Sequence, residues 1–215
     1  MELSGGGTLI FSVNSAPQNE HIGGEKMAKY VLIVDVSGSM RCKLKNLKEM
    51  LADDWVPWRI GSPANNEVAL ISFCNDVCIN SYYSNDVKDL QNRVMNLSLN
   101  SCGGSGTALY DAIIVGLTFE SPKPDAIYVW SDLQDNDSHA SEMDYINLAN
   151  SIGITINLCP AYEWMQDPHC PYITPLVNYP FKPIQFSTSV AIAKRFASKL
   201  NNSRVIENPT QLIQA

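Results

Sequence analysis

The sequence predicts an α/β protein, a doubly wound and mostly parallel sheet with helices on both faces (Rossmann-like). Three observations carry that expectation. The run 30–36 is apolar except for Asp35 and is followed by Gly38. It is too short for a membrane span and apolar on both faces, as a fully buried parallel strand must be. A second such run, 126–131 (AIYVWS), ends in Asp132. Around these runs, apolar residues recur at helical spacing, and strands that alternate with helices build parallel sheets covered on both sides.

Taken in order, residues 1–27 are rich in Gly and polar residues around one short apolar run, 8–13. This segment is expected to be a tail or an added edge strand, and the domain proper is expected at 28–215. After the first strand, Leu44, Leu47, Leu51 and Trp55 recur at helical spacing with Lys and Glu between them, and the helix is expected to stop before Pro57. The run 68–74 (VALISFC) reads as another buried strand. Residues 77–80 read as a short strand after an Asn75-Asp76 turn, which makes a hairpin. Asp86 is placed to cap a helix whose buried stripe is Val87, Leu90, Val94 and Leu97.

A glycine-rich loop, 103–107, opens a helix over 107–119 with Leu109, Ile113, Gly116 and Leu117 on its inner face. Met143, Ile146 and Ala149 mark a helix ended by Gly153 in a C-cap role, followed by a strand at 154–158. Val190, Ala193, Phe196, Ala197 and Leu200 build a helix closed by Asn201-Asn202, with a short strand at 204–207 and a helical turn at 210–214. The segment at about 160–186 stands apart as an insertion. Six of the chain's twelve prolines fall within it, among Tyr162, Trp164, Tyr172, Tyr179 and Phe181. It reads either as a loop that packs on its own domain or as a lip for a partner beside the site described next.

The first strand ends by placing Asp35, Ser37 and Ser39 at alternate positions, with Gly38 permitting a sharp turn. One carboxylate and two hydroxyls then meet at the carboxyl end of a central strand, where open α/β sheets put their ligand sites. All offer oxygen, the donor that hard cations such as Mg²⁺ and Mn²⁺ prefer. The other reading of the same three residues is an Asx or Ser turn that bonds the local backbone. Thr107 and Asp132 each add one more oxygen, and a parallel sheet brings both to the same edge.

This set, Asp35-x-Ser37-x-Ser39, then Thr107, then Asp132, resembles the metal-ion-dependent adhesion site (MIDAS) of the von Willebrand factor A (vWA) family. Order and setting match: strand end, glycine loop before a helix, strand end. The resemblance covers about 28–159 and 187–214, and the family usually crosses the 160–185 region with a short loop. It implies that Ser37 and Ser39 bind Mg²⁺ (or Mn²⁺) directly, that Thr107 joins when ligand is bound, and that Asp35 and Asp132 often act through water. Two carboxylates balance a divalent cation and leave it electrophilic, so a Glu or Asp side chain of a protein partner is the expected ligand. Binding rather than turnover is the expected output.

Other classes fare less well on the sequence. A net charge of -7 and pI of 4.9 argue against a nucleic-acid surface. No stretch approaches the ~20 apolar residues of a membrane helix, and no secretory leader is recognisable, so a cytoplasmic protein is expected. Phosphatases of the haloacid-dehalogenase kind need a second acid where this chain has Ser37, and the histidines at 21, 139 and 169 form no Ser-His-Asp set. Asp135, Asp137 and His139 either line the rim of the site or form a solvated acidic loop. The six cysteines are expected as free thiols. Cys42 and Cys102 are placed to approach each other, Cys74 and Cys78 to lie in the core, and Cys159, His169 and Cys170 to be zinc ligands only if a fourth joins them. Two further roles fit the same site chemistry: adaptor or substrate-recognition subunit of an AAA+ ATPase of the chelatase or MoxR kind, and structural or assembly protein of a phage or other particle.

Overall fold

A computed structural model describes residues 27–61, 65–161 and 186–207. The run 8–13, most of the Pro- and aromatic-rich segment and the 210–214 turn lie outside them. The strands are β1 (Lys29–Asp35), β2 (Glu67–Phe73), β3 (Val77–Ser84), β4 (Ala126–Ser131), β5 (Thr155–Pro160) and β6 (Ser203–Val205). They form one six-stranded sheet in the order β3-β2-β1-β4-β5-β6. Every neighbouring pair is parallel except β2 and β3, which form the expected hairpin. β3 runs four residues beyond the strand expected at 77–80. From β1 the chain steps outward to β2 and β3, then returns to β4 and steps outward the other way. The reversal of direction lies between β1 and β4, and that crevice is where such sheets bind ligands.

Successive residues of the central strands point to opposite faces, and both faces are dry. Leu32, Val34, Leu70, Tyr128 and Trp130 pack on one side with Leu47, Leu51, Trp55, Leu90 and Val94. Val31, Ile33, Ile71, Val129 and Ile156 pack on the other with Leu109, Ile113, Ile146 and Phe196. Each fully buried side chain of this size contributes about 1.5–3 kcal/mol relative to exposure. β1 buries five consecutive residues this way, Val31 to Asp35, so the apolar run has no solvent face to spare.

The helices on the first face are α1 (Leu44–Met50), α2 (Val56–Ile60) and α3 (Val87–Met95). The expected stop before Pro57 is wrong. Between α1 and α2 the helix widens into a π-type turn, Leu51–Trp55, in which the Val56 N–H reaches the Leu51 carbonyl. In a regular helix the Pro57 ring would strike the carbonyl four residues back. The widened turn lets the chain carry proline into α2 and keep Trp55, Val56 and Ile60 buried. Asp86 caps α3 as expected, its Oδ1 accepting the Asp89 N–H at 3.0 Å.

On the second face lie α4 (Leu109–Leu117), α5 (Glu142–Ile152) and α6 (Phe186–Ala197). Gly116 lets α4 approach β1: a Cβ there would sit 2.6 Å from the Ile33 Cδ1. Tyr110 of α4 stacks on Tyr145 of α5 with ring centroids 5.2 Å apart, and Phe196 of α6 meets both edge-on. Gly153 ends α5 in the left-handed conformation at φ 75°, the C-cap role expected of it. Among the described residues no helix is long and apolar enough to cross a membrane.

Among the described residues, the expectation that all cysteines are thiols is overturned at Cys42. Cys42 is disulfide-bonded, whereas Cys74, Cys78, Cys102 and Cys159 are free. Cys42 is not bonded to Cys102, whose sulfur lies inside the core against Ser72. Cys159 is fully buried in β5, and burial pushes its thiol well above the ordinary range. A neutral thiol bonded to the Asn157 carbonyl at 3.7 Å is a poor start for a zinc site; His169 and Cys170 lie outside the described residues.

Candidate functional site

The five oxygen-bearing residues sit on three loops at the carboxyl edge of the sheet, around the crevice between β1 and β4. Asp35 is the last residue of β1 and is fully buried. Its Oδ1 accepts the Ser37 N–H at 2.8 Å, which is the local Asx-type turn. Its Oδ2 accepts the Ser131 hydroxyl at 2.6 Å from the end of β4. The local turn reading of this stretch therefore holds, with the Ser37 hydroxyl turned toward Asp35 and Ser39. The Ser37 and Ser39 Oγ atoms lie 3.1 Å apart, Ser37 buried and Ser39 at the surface.

Ser131 is a site residue that the sequence reading missed. Parallel pairing sets Val34 opposite Trp130, so Asp35 must come level with Ser131, one residue before Asp132. The register of two strand ends held that information, but only once β1 and β4 were known to be neighbours. Asp132 is buried beside them. Asp35 is pushed up from its ordinary 3.8 to about 6, first by burial and then by the charge of Asp132, against hydrogen bonds from Ser131 and Ser37 that pull it down. Two carboxylates are thus enclosed at close quarters, and the charge of Asp132 makes Asp35 harder to ionise.

Thr107 completes the set. The loop that bears it meets the first loop where the Gly38 N–H bonds the Ser105 carbonyl at 3.3 Å. Its other side is held by residues after β4. The Thr107 N–H donates to the Asn136 Oδ1 at 2.8 Å, and the Thr107 carbonyl accepts from the N–H groups of Asn136 and Asp137 at 3.1 and 3.2 Å. Asn75, in the hairpin turn, accepts the Gly106 N–H at 2.8 Å and donates to the Asp137 carboxylate. Thr107 is buried in consequence.

The same segment supplies the cap that α4 lacks. Ala108 stands at the N-cap position and has no side-chain acceptor to offer. In its place the Asp135 Oδ1 takes the Leu109 N–H at 2.9 Å, and the Ser138 Oγ takes the Tyr110 N–H at 2.9 Å. Asp111 returns the contact, accepting the N–H groups of His139 and Ala140 at 2.8 and 2.9 Å. The solvated-loop reading of 135–139 is therefore corrected at Asp135, whose charge lies at the positive end of a helix. His139 is exposed, its Nδ1 3.2 Å from the Asp111 carboxylate.

Chemically, the site offers two carboxylates and three hydroxyls, all oxygen. Among the described residues no cluster of three or more His, Cys, Asp or Glu is placed to hold a metal. The donor set fits a hard divalent cation, which would neutralise the enclosed Asp35–Asp132 pair.

No protein-family model matches the sequence, and no curated protein matches it. Solved structures do. BatB from Bacteroides thetaiotaomicron superposes with a TM-score of 0.61 at 14% identity, over 87% of this chain and 94% of that one. The VWA domain of SpRpn10 gives 0.52 at 12% identity, over 87% and 93%. The fold is that of a vWA domain. Proximal thread matrix protein 1 of the mussel byssus, solved with a zinc-occupied MIDAS motif, gives 0.50 at 18% identity, over 62% of this chain and 35% of that one. At these identities the likeness to vWA domains is one of fold.

Proposed function

We propose that this chain is a vWA protein-binding module that holds a divalent metal ion through Asp35, Ser37, Ser39, Thr107 and Asp132. One observation carries the reading: two buried carboxylates lie near each other at the crevice, with the Ser131 and Ser37 hydroxyls on Asp35 and Asp35 pushed up to about 6. Such a pair is costly by itself and is relieved by a cation. Support also comes from the fold, since a structural neighbour carries a zinc-occupied MIDAS motif. The cation would supply a Lewis-acidic point of attachment for an anionic oxygen, and a Glu or Asp side chain of another protein suits it. Mg²⁺ is the natural occupant of hydroxyl and carboxylate oxygens, with Mn²⁺ as its substitute. Within the chain, Asp35 and Ser131 fix the first loop and Asn136 holds the Thr107 backbone. Selectivity among acidic partners must then come from the surrounding surface. We propose binding without turnover.

Thermal melts in Mg²⁺ and in EDTA test this directly. The wild type should melt higher with the cation, and Ser37→Ala/Ser39→Ala should melt at the same temperature in both. A wild type indifferent to Mg²⁺ and Mn²⁺ at millimolar concentration would remove the proposal.

A further inference from the structure

A second group of reactive side chains lies behind the glycine loop, away from the oxygen donors. Cys78 stands on β3, the edge strand, level with Ser72 of β2. Cys102 immediately precedes Gly103 and is buried. The two thiols are neighbours through Ser72: Cys78 pairs directly across from it, and the Cys102 sulfur packs on it from the glycine loop. The Cys102 Sγ is also 3.2 Å from the Ser72 Oγ and donates to the Ser72 carbonyl at 3.6 Å. Asn80 fixes that hydroxyl, its Nδ2 donating at 2.7 Å. Both thiols are free, and Cys78 is only partly buried. One thiol is thus partly open to solvent and the other is enclosed.

We propose that Cys78 and Cys102 are a modification site, an oxidisable dithiol that closes to an intramolecular disulfide between edge strand β3 and the loop leading to Thr107. The oxidant is a small disulfide such as oxidised glutathione. The Cys78 thiolate, its proton given to water, attacks one glutathione sulfur; a mixed disulfide forms and one glutathione thiolate leaves and is protonated. Cys102 then loses its proton and attacks the Cys78 sulfur, and the second glutathione leaves. Two protein thiols are oxidised to one disulfide, and one glutathione disulfide is reduced to two thiols.

The surroundings set the order of events. Burial and the neighbouring Cys78 thiol push Cys102 up, so it stays protonated and unreactive until a partner disulfide is presented beside it. The Ser72 hydroxyl acts the opposite way and favours the thiolate of Cys102. The closed bond would cross-link two segments now joined by the Asp76 N–H to the Cys102 carbonyl at 2.9 Å.

The full chain, never exposed to reductant, is incubated with oxidised glutathione, alkylated and mapped by peptide mass spectrometry without reduction. The expected product is a cross-linked peptide joining Cys78 to Cys102, lighter by two hydrogens, with no glutathione retained. Cys102→Ser should instead accumulate glutathione on Cys78, and Cys78→Ser should leave Cys102 reduced. The proposal is overturned if wild-type Cys78 keeps its glutathione while Cys102 remains a thiol. It is equally overturned if Cys78 pairs with Cys74. The wild-type map decides the matter even if a serine variant fails to fold.

Discussion

Replacing Asp35 with Asn makes a counter-intuitive forecast: without metal, removing the central carboxylate should stabilise the protein. The folded chain raises Asp35 from its ordinary 3.8 to about 6. Between those values the native state holds more protons than the unfolded state, so this group's contribution falls as pH rises from about 4 to about 6 and stays low above it. The gap corresponds to roughly 3 kcal/mol at neutral pH, and because the side chain is fully buried, little of that is screened. Asparagine can keep both local contacts, its Oδ1 accepting the Ser37 N–H and its Nδ2 donating to the Ser131 Oγ. Imperfect replacement of these bonds would return about 1 kcal/mol. In urea unfolding with EDTA, Asp35→Asn should exceed wild type by about 2 kcal/mol near pH 7.5, and the difference should vanish near pH 4. With Mg²⁺ the order should reverse, because only the wild type gains from the cation. A variant less stable than wild type in EDTA at neutral pH, or a difference that ignores pH, would refute the picture of a strained carboxylate pair.

Other perturbations address the scaffold. Asp135→Ala strips the Leu109 N–H at the start of α4 of its acceptor; a loss of about 1–2 kcal/mol in chemical denaturation is expected, together with weaker metal binding as the Thr107 loop loosens. Gly116→Ala would place a methyl group 2.6 Å from the Ile33 Cδ1 and should cost about 1–3 kcal/mol by overpacking without touching the site. Gly153→Ala forces a side chain into the left-handed region at φ 75° and should cost about 1 kcal/mol, seen as a lower melting temperature with unchanged metal response.

The sheet was legible in the sequence because burial on both faces leaves uninterrupted apolar runs, and β1 and β4 are such runs. The five residues proposed as donors stood out for a related reason, local features again: Asp35, Ser37, Ser39 and Asp132 lie where a strand runs into a turn, and Thr107 lies in the glycine loop before α4. What escaped was set by pairing across the chain. Ser131 bonds Asp35 only because β4 neighbours β1, and Asp135 caps α4 from 26 residues away. The helix through Pro57 escaped because a widened turn is a tertiary compromise, taken to keep Trp55 and Ile60 buried, that no local propensity announces. The state of Cys42 escaped because spacing alone does not give disulfide connectivity.

The central claim is that the Asp35–Asp132 crevice binds a divalent cation, and titration calorimetry with Mn²⁺ tests it most directly. Wild type and Asp132→Asn should be compared, with circular dichroism confirming that both are folded. Saturable one-to-one binding in the wild type, lost in Asp132→Asn, is the predicted result; identical titrations for the two folded proteins would contradict it.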